Sequence, residues 1–289
     1  VEMIGRALEL AEEKLSGLTR YDGTPLLGHS VATAQIVIGE IGLGRNSTIS
    51  TLLHDVVRMR MLSPEEAGRM FGDACVGILG GLCNISDVDP KISSEQADNF
   101  RELIVSYSTD PRVILIKLAD RLEVMRSLSM FPPDKQKKKS WESLNLYAQI
   151  AHKLGLYTLK SELEDIALSF LEPEDYNYIH TRLEETARER NLFISKFLEP
   201  IEAKLRQSGL KYHIKSRTKS IFSIWSKMRR MHIPFEEVYD IFALRIIIDC
   251  PPEQEKTLCW SVYSIVTDFY TPNPDRMRDW ISIPKSNGY

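Results

Sequence analysis

The sequence predicts a multidomain chain that is all helical in its first part and mixed α/β, of the α+β type, in its last third. From residue 1 to about residue 171, apolar residues recur at three- and four-residue spacings, with short breaks at Gly or Pro. That is the period of amphipathic helices. After Gly209, alternating and branched apolar runs that are typical of strands appear between helical segments. A length of 289 residues suits two domains of about 100 to 200 residues each.

The composition is that of an ordinary folded protein. Lys and Arg number 37 and Asp and Glu 40, for a formal net charge of −3, which excludes a histone-like or polyanionic tail protein. The 43% hydrophobic and 27% charged residues exclude disordered and collagen-like chains. Four cysteines without a C-x-x-C pair favour a reducing, cytoplasmic location. No apolar run approaches the roughly 18 residues that a membrane helix needs, so we expect no membrane partner.

The first part contains several predicted helices in succession. From Ser47 to Val57, the residues Ile49, Leu52, Leu53 and Val56 form one apolar stripe, and a second helix follows Pro111. The lysine-rich run 132–140 breaks the pattern and is interpreted as a hinge or a solvated loop. The stretches 143–153, 161–171 and 174–207 are helical again and predict a connecting bundle.

The last third alternates between strand and helix patterns. The segment "LKYHIKS" alternates, "IFSIWSKMRRM" is helical, and "FALRIIID" is rich in branched apolar residues. A helix at about 253–269 and a strand near 280–283 complete the mixed segment. Because the chain begins inside an amphipathic helix and ends on a turn signal, we expect it to be a piece of a longer protein.

A first group of polar residues lies on the predicted helices of the first part. His54 and Asp55 are adjacent and both lie off the apolar stripe of their helix, whereas Asp120 shares its helix side with Val113 and Ile116. A carboxylate so placed is half buried and needs a cation, a metal or several donors. A lone motif of this kind is more often a structural, Arg-paired residue. Two His and two Asp together could instead bind a divalent ion such as Mn(II).

These residues carry a resemblance to a known family. The segments "GTPLLGH" (23–29), "TLLHDVV" (51–57) and "KLADRL" (117–122) closely resemble the hydrolase half of the RelA/SpoT homologue family, within the HD superfamily of metal-dependent phosphohydrolases. The resemblance implies an all-helical HD-type domain. It also implies that one Mn(II) is held by His29, His54, Asp55 and Asp120, and that Arg20 contacts the guanine nucleotide.

The residues beside these ligands depart from the pattern of active members. Arg58 and Met59 stand where active members have a Glu-Asp pair, and Glu123 and Val124 stand where they have His-Asn. Hydrolysis of a 3′-pyrophosphate needs a metal and a carboxylate that orients or deprotonates water. We therefore expect little or no hydrolase activity and a domain kept for structure or regulation. The alternative is hydrolysis through another carboxylate, for which Glu65 or Glu66 are candidates.

A second group of residues lies in the last third. Residues 203–235 contain nine Lys or Arg and no Asp or Glu, which is equally compatible with a solvated face and with an anion site. Arg217 and Lys219 lie where a strand passes into a helix, and helix N-termini attract phosphate. Asp240 stands at the start of the next strand, with Arg245 inside it; singly, such an Asp is more often a turn residue. Together these residues indicate Mg-assisted phosphoryl-type transfer.

The second group resembles the synthetase half of the same family. The segments "KSRTKSIFSIWSKM" (215–228), "VYDIFALRII" (238–247) and "DRMRDWISIPKSNGY" (275–289) are similar to nucleotide-binding motifs of (p)ppGpp synthetases. These have a nucleotidyltransferase-like mixed sheet and transfer pyrophosphate from ATP to the 3′-OH of GDP or GTP. The resemblance implies that Asp240 holds Mg(II) and that Tyr289 stacks on the guanine base. The residues with an implied catalytic or nucleotide-binding role are Arg217, Lys219, Lys227, Asp240, Arg245, Lys285, Asn287 and Tyr289.

The resemblance covers essentially the whole chain and implies its organisation. Residues 1–135 are expected to form the HD-type domain, 136–195 a helical linker bundle, and 196–289 a C-terminally truncated synthetase domain. The family continues with a segment that bears a catalytic Glu, so we expect this piece alone to be nearly inactive. The segment "RMRD" (276–279) is of the type found in bifunctional members, but the hydrolase motifs bear more directly on hydrolysis.

The resemblance also implies partners. These are ATP and GDP or GTP, with ppGpp as a further ligand, and a homo-oligomer is an open alternative. Ribosome or tRNA contacts are expected only through a C-terminal half that lies outside this chain. Besides synthesis with a silent hydrolase domain, two readings stay open: a bifunctional enzyme, and a non-catalytic HD module that senses nucleotide and restrains the synthetase.

Overall fold

The computed structural model describes residues 2–86 and 110–285, and it divides the chain into two compact units. Unit 1 is Val1–Tyr176 and unit 2 is Asn177–Tyr289. Helices build unit 1, and unit 2 combines helices with a two-stranded sheet. The predicted fold class, helical first and mixed α/β afterwards, is confirmed. The three-part division at residues 135 and 195 stays a prediction.

Unit 1 contains helices of 6 to 16 residues. They are α1 (Glu2–Lys14), α2 (Leu26–Ile36), α3 (Arg45–Arg58), α4 (Pro64–Phe71), α5 (Asp73–Ser86), α6 (Pro111–Arg126), α7 (Pro133–Glu142), α8 (Ala148–Lys153) and α9 (Tyr157–Leu171). One group of buried apolar side chains joins α1, α3 and α5 around Ile49 and Leu53, and another joins α6 and α9 around Ile116 and Leu163.

Helix α3 is buried nearly all round between its two terminal arginines, so most of its polar residues lie inside unit 1. The predicted stripe is in the core, with Ile49 and Leu53 fully buried. His54 and Asp55, which follow the stripe, are 7% and 0% exposed. The helix predicted from Ser47 to Val57 is therefore confirmed, and it places two ionisable side chains in the interior.

Helix α6 begins where the sequence places a cap and a proline. The Asp110 carboxylate accepts a hydrogen bond from the backbone N–H of Arg112, and Pro111 is the first helical residue. Proline is tolerated there because the N–H that it lacks would have no partner within the helix. Beginning at this position, α6 places Asp120 on the side that packs against α2. The Asp120 side chain is 18% exposed there.

The expectation of a hinge or loop at 132–140 is wrong, because all of these residues except Pro132, which precedes the helix, lie in α7. Pro133 opens the helix and Asp134 lies in its first turn, both of which favour a helix start. Lysine is itself a good helix former. The run is polar, yet its Ser140 and the following Glu142 are buried, so the helix has an inner face that hydrophobicity does not reveal.

The rest of the chain contains α10 (Pro173–Glu185), α11 (Ala187–Gln207), β1 (Tyr212–Thr218), α12 (Ile221–Met231), β2 (Phe242–Ile248) and α13 (Glu255–Thr267). Strands β1 and β2 pair antiparallel, with Tyr212 opposite Ile248 and Thr218 opposite Phe242. Helices α11 and α13 bury Ile201 and Val262 in one apolar cluster that Ile246 and Ile248 of β2 adjoin.

The strand expected near 280–283 is absent; the described residues there form turns. The Asp279 carboxylate accepts hydrogen bonds from the backbone N–H groups of Ile281 and Ser282. These N–H groups bind the Asp279 side chain and not a neighbouring strand. Asp commonly stabilises a turn in this way. Within the described residues, no helix combines the length and the apolar character that crossing a membrane requires.

Candidate functional site

Three helices bring the four predicted metal ligands of unit 1 together. Helix α2 carries His29, α3 carries His54 and Asp55, and α6 carries Asp120. Ligand atoms of His29, His54 and Asp55 all lie within 4.8 Å of one another. Asp120 joins at one side, with its Oδ1 3.1 Å from His29 Nε2. The structure thus brings all four residues into one cluster, of which three form the tight group.

The interior of this cluster contains a polar atom without a hydrogen bond. Among the described residues, the buried His54 Nε2 has no hydrogen-bond partner. Such atoms are rare in proteins because burial without a partner costs free energy. Two imidazoles and carboxylates form a mixed nitrogen and oxygen donor set, which divalent transition metals accept. The residues present therefore fit a divalent metal ion.

The ring of His54 is oriented for such a role by its own helix. Its Nδ1 lies 2.5 Å from the carbonyl oxygen of Thr51, which can only accept, so Nδ1 carries the hydrogen and donates. Burial lowers the pKa of His54, which favours the neutral ring. A neutral ring with its hydrogen on Nδ1 leaves the lone pair on Nε2, and metal-ligating His is commonly fixed in this way.

Glu123 is the residue of this site whose contribution sequence reasoning missed. Its carboxylate contacts His29 Nδ1, and it also binds Arg20 through two hydrogen bonds of 2.7 and 3.1 Å. Arg20 donates a further bond of 2.6 Å to Ser127 Oγ. The available signal was spacing, since Glu123 follows Asp120 by three residues and so lies on the same helix face. Arg20, predicted to contact nucleotide, is here held by Glu123.

The charges around His29 change its protonation. Burial opposes the charged ring, but the bonds to Asp120 and Glu123 and the charge of Asp55 outweigh it and raise the pKa of His29 to about 9. Burial would raise the pKa of Glu123, but the contacts with His29 and Arg20 hold it below its usual value. Without a metal, His29 is therefore an imidazolium between carboxylates at neutral pH.

Two cations accompany the ligand carboxylates. Arg58 Nη2 lies 2.5 Å from Asp55 Oδ1, as a charge contact without hydrogen-bond alignment, and the Arg58 side chain is 50% exposed. Lys117 Nζ lies 2.9 Å from Asp120 Oδ2. Despite its burial, the charges of Lys117 and His29 hold the pKa of Asp120 well below its usual value. Both carboxylates are therefore neutralised by protein cations as well as by His29.

A cavity of about 380 Å³ opens beside the cluster. His29 and Asp120 line it, together with the departures from the active pattern at Arg58, Met59 and Val124. Glu65 and Glu66, considered as replacements for a missing carboxylate pair, lie on α4. There Glu66 accepts a hydrogen bond from the backbone N–H of Ser63 as part of a capping box. At Arg58, Met59 and Val124, where the sequence differs from active members, the cavity wall is therefore cationic or apolar.

In unit 2, the polar residues meet at one end of the sheet. Lys219 follows β1, Lys227 lies on α12, and Asp240 precedes β2. Lys219 Nζ is 2.8 Å from Asp240 Oδ2 and Lys227 Nζ is 2.5 Å from Asp240 Oδ1. These two hydrogen bonds lower the pKa of Asp240 to about 2. The carboxylate is therefore ionised at neutral pH and lies between two ammonium groups, with its side chain 57% exposed.

The local sequence explains this convergence. The backbone N–H of Lys219 donates to the carbonyl oxygen of Ile241, which extends the pairing of β1 and β2 to the residues that carry the charges. Ser220 then caps α12 by accepting a bond of 3.3 Å from the backbone N–H of Ser223. Lys227 lies two turns into that helix, on the side of Asp240.

The other predicted residues of unit 2 take no part in the two salt bridges of Asp240, or they lie outside the described residues. Arg217 pairs with Ala243 and Arg245 with Lys215 in the ladder, so both arginines lie on the exposed face of the sheet. Lys285 Nζ lies 4.6 Å from the centre of the Trp280 ring. Asn287 and Tyr289 are outside the described residues.

Comparisons with known proteins find relatives of both parts of the chain. A family model described as "HD domain" matches residues 7–157, and one described as "Region found in RelA / SpoT proteins" matches residues 216–289. A solved structure titled as a metazoan orthologue of SpoT that hydrolyses ppGpp covers 57% of this chain and 94% of its own, at 21% identity and a TM-score of 0.46.

Curated relatives match along the whole chain. A guanosine-3′,5′-bis(diphosphate) 3′-pyrophosphohydrolase of Aquifex aeolicus is 36% identical over 100% of this chain and 40% of its own length. A GTP pyrophosphokinase of Myxococcus xanthus is 32% identical over 100% of this chain and 38% of its own. The bifunctional (p)ppGpp synthase/hydrolase SpoT of Escherichia coli K12 is 32% identical over 100% of this chain and 40% of its own.

The chain spans about two fifths of the length of these relatives. The HD domain match covers more than half of the chain, and the second match covers the end of β1, all of β2 and the segment after it. Both regions occur in the same chain as the His-Asp cluster and the lysine-bound Asp240. The chain belongs to the RelA/SpoT family.

Proposed function

We propose that the protein is a (p)ppGpp synthetase, a GTP diphosphokinase that transfers pyrophosphate from ATP to the 3′-OH of GDP or GTP. The observation that carries the proposal is the ionised carboxylate of Asp240, bound by Lys219 and Lys227 at the end of the sheet. Phosphoryl-type transfer depends on positioning and on neutralising phosphate charge, and a carboxylate with adjacent cations provides both.

Each residue of the unit 2 site has a role in this proposal. Asp240 would hold Mg(II), which commonly binds one or two carboxylates together with substrate phosphates and, when bound, neutralises their charge. Lys219 and Lys227 are the cations nearest to that carboxylate, and we assign them to phosphate oxygens of ATP. Arg217 and Arg245 add positive charge on the exposed face of the sheet. Lys285, Asn287 and Tyr289 are assigned to the guanine nucleotide.

We further propose that the unit 1 site holds a metal, Mn(II) being our candidate, and hydrolyses ppGpp slowly or not at all. His29, His54, Asp55 and Asp120 would hold the ion, which when bound polarises phosphoryl oxygens and activates water. Among the described residues, the positions beside the ligands offer no free base, since Met59 is apolar and Arg58 is cationic. Glu123 is a carboxylate in the site, but two hydrogen bonds from Arg20 occupy it.

The second candidate function is a bifunctional enzyme that keeps hydrolysis. Relatives are named as 3′-pyrophosphohydrolases, among them the Aquifex aeolicus protein. The structural observation in favour is the complete ligand cluster with its unsatisfied His54 Nε2. In that case Glu123 would have to exchange Arg20 for water when the substrate binds.

One set of assays on the full-length protein separates the candidates. With ATP, GDP and Mg(II), we expect ppGpp formation, and Asp240→Asn lowers the rate by about a hundredfold or more, as for loss of a key electrostatic group. Asp249→Asn, at the exposed far end of β2, is the matched control and keeps the rate. No synthesis by the unsubstituted protein would overturn the proposal.

The same preparation is given ppGpp with and without Mn(II). Absence of pyrophosphate release supports a silent hydrolase site. Robust Mn-dependent release would show the bifunctional alternative to be correct. Metal binding and ppGpp binding without release would instead support a nucleotide-sensing HD module that regulates the synthetase.

A further inference from the structure

The lysine-rich helix α7 places one of its lysines inside unit 1. Lys139 lines the 380 Å³ cavity that also contains His29 and Asp120 in its wall. Its neighbours Lys137 and Lys138 on the same helix are exposed, whereas Lys139 is partly buried. Neither metal binding nor pyrophosphate transfer accounts for this inward position.

Lys139 has no ion pair with a carboxylate of the described residues. Its ammonium lies 5.0 Å from the centre of the Phe131 ring, a cation–π contact. The two carboxylates whose charges reach it are engaged elsewhere: Asp120 binds Lys117 at 2.9 Å and Glu142 binds Arg121 at 3.0 Å. As far as the structure describes the chain, this cation therefore lines the cavity without a counter-ion.

This situation is unfavourable for the protein alone. Burial lowers the pKa of Lys139 to about 8, and the charge of Arg121 acts in the same direction. A partly desolvated ammonium without a counter-ion costs free energy, which an anion in the cavity would offset. The cavity lies within the range of about 300 to 1,000 Å³ that is typical of small-molecule sites.

The rest of the wall indicates what kind of anion fits. Arg20 and Arg58 are further cations of the lining, and the rings of Tyr21 and Phe131 lie 5.0 Å apart on the same cavity. A ligand with several negative charges and a flat, apolar part would use both features. A phosphorylated nucleotide has this chemistry, whereas a simple carboxylate has only the charge.

We propose that Lys139 binds a phosphate oxygen of a guanine nucleotide in the cavity of unit 1, and that it does so without a metal ion. The ligand class rests on the proposed function, whereas the role of Lys139 as an anion ligand rests on its position and missing counter-ion. The shared chemistry is a phosphate oxyanion, which could come from a nucleotide or from free pyrophosphate.

The test is residue-resolved lysine acylation of the full-length protein in EDTA, read by peptide mass spectrometry. Arms contain ppGpp, GDP, pyrophosphate or no ligand. We expect saturating ppGpp to slow acylation of Lys139 by about tenfold or more and to leave the exposed Lys137 unchanged. Because the readout belongs to one residue of unit 1, it is independent of nucleotide bound to unit 2 and of whether synthesis occurs.

Two outcomes of the acylation test would overturn the proposal. Unchanged acylation of Lys139 at saturating ppGpp shows that no nucleotide phosphate reaches this lysine. Equal protection by pyrophosphate and ppGpp shows that the site takes free polyphosphate, so the nucleotide assignment is wrong. Protection by ppGpp that pyrophosphate does not reproduce supports the proposal.

Variants give a second readout. Lys139→Met is expected to weaken ppGpp binding in EDTA by about tenfold, measured by calorimetry, while Lys137→Met leaves it unchanged. Lys139→Arg, which keeps the charge, is expected to restore most of the affinity and guards against a mere folding defect. Equal affinity of Lys139→Met and Lys137→Met would contradict the proposal.

Discussion

At the scale of single residues, the ligand carboxylates of the unit 1 site already have protein cations as partners. Asp55 contacts Arg58 and Asp120 contacts Lys117, while His29 lies between carboxylates as an imidazolium. A metal ion would bring two positive charges into a site whose carboxylates already have cations. Metal affinity therefore depends on how readily Arg58 and Lys117 release the carboxylates and how readily His29 loses its proton.

Removing the guanidinium of Arg58 should strengthen metal binding. We expect Arg58→Gln to raise the affinity for Mn(II) by about tenfold, because an opposite charge beside a carboxylate is commonly worth one pK unit or more. Calorimetric titration of the metal-free protein measures the change. Arg60→Gln, two residues further on and exposed, is the charge-matched control and should have little effect. A variant at position 58 that binds Mn(II) no more tightly would show that Arg58 does not compete.

The protonation of His29 predicts how metal affinity depends on pH. Since the metal-free ring has a raised pKa of about 9, it is protonated at neutral pH and must lose a proton to become a ligand. Affinity for Mn(II) should therefore rise with pH, by up to about tenfold per unit between pH 6.5 and 8.5. Titrations in buffers of different ionisation enthalpy count the protons released. No release on binding would show that His29 is not a ligand.

At the scale of elements, local rules account for helix starts better than hydrophobic patterns do. Helix α4 begins with a complete capping box, in which Ser63 Oγ accepts from the Glu66 N–H at 3.1 Å and Glu66 Oε2 accepts from the Ser63 N–H at 2.8 Å. Pro64 follows as the first helical residue. These residues satisfy donors that the helix itself leaves free.

The capping box makes a stability prediction. Ser63→Ala should lower the free energy of unfolding by about 1 kcal/mol, the usual cost of losing such a cap, because the Glu66 N–H loses its acceptor. Urea denaturation followed by circular dichroism measures the change. Ser63→Asp keeps an acceptor and should retain most of the stability. Equal stability of the Ala variant and the original chain would contradict the assigned role.

The two wrong element predictions have a common cause. The lysine run became α7 because a proline at the helix start, helix propensity and a buried polar face decided its structure, and none of these appears in an apolar pattern. The apolar residues near 280–283 lie in turns because Asp279 binds the local backbone N–H groups. In both places polar side chains decided the backbone conformation.

At the scale of the whole molecule, the two candidate sites are built in different units from residues far apart in sequence. His54 belongs to unit 1 and Asp240 to unit 2. We expect His54→Gln to reduce Mn(II) binding and to leave ATP- and GDP-dependent ppGpp synthesis of the full-length protein unchanged. Asp240→Asn should have the converse effect. Metal titration and synthesis assays on both variants test this separation, and loss of synthesis in His54→Gln would instead reveal coupling.

The sequence alone predicted the family and the order of a helical and a mixed α/β part, because these follow from short motifs and from periodicity. For the two sites it supplied candidate residues. The tertiary structure decided what those residues contact. Examples are the contact of Glu123 with His29, the contact of Arg58 with Asp55, and the position of Lys139 in the cavity wall. Their geometry depends on how the helices fold and pack. Charge balance at a buried site is a sum over neighbours from several elements, so it emerges only once those elements are placed together.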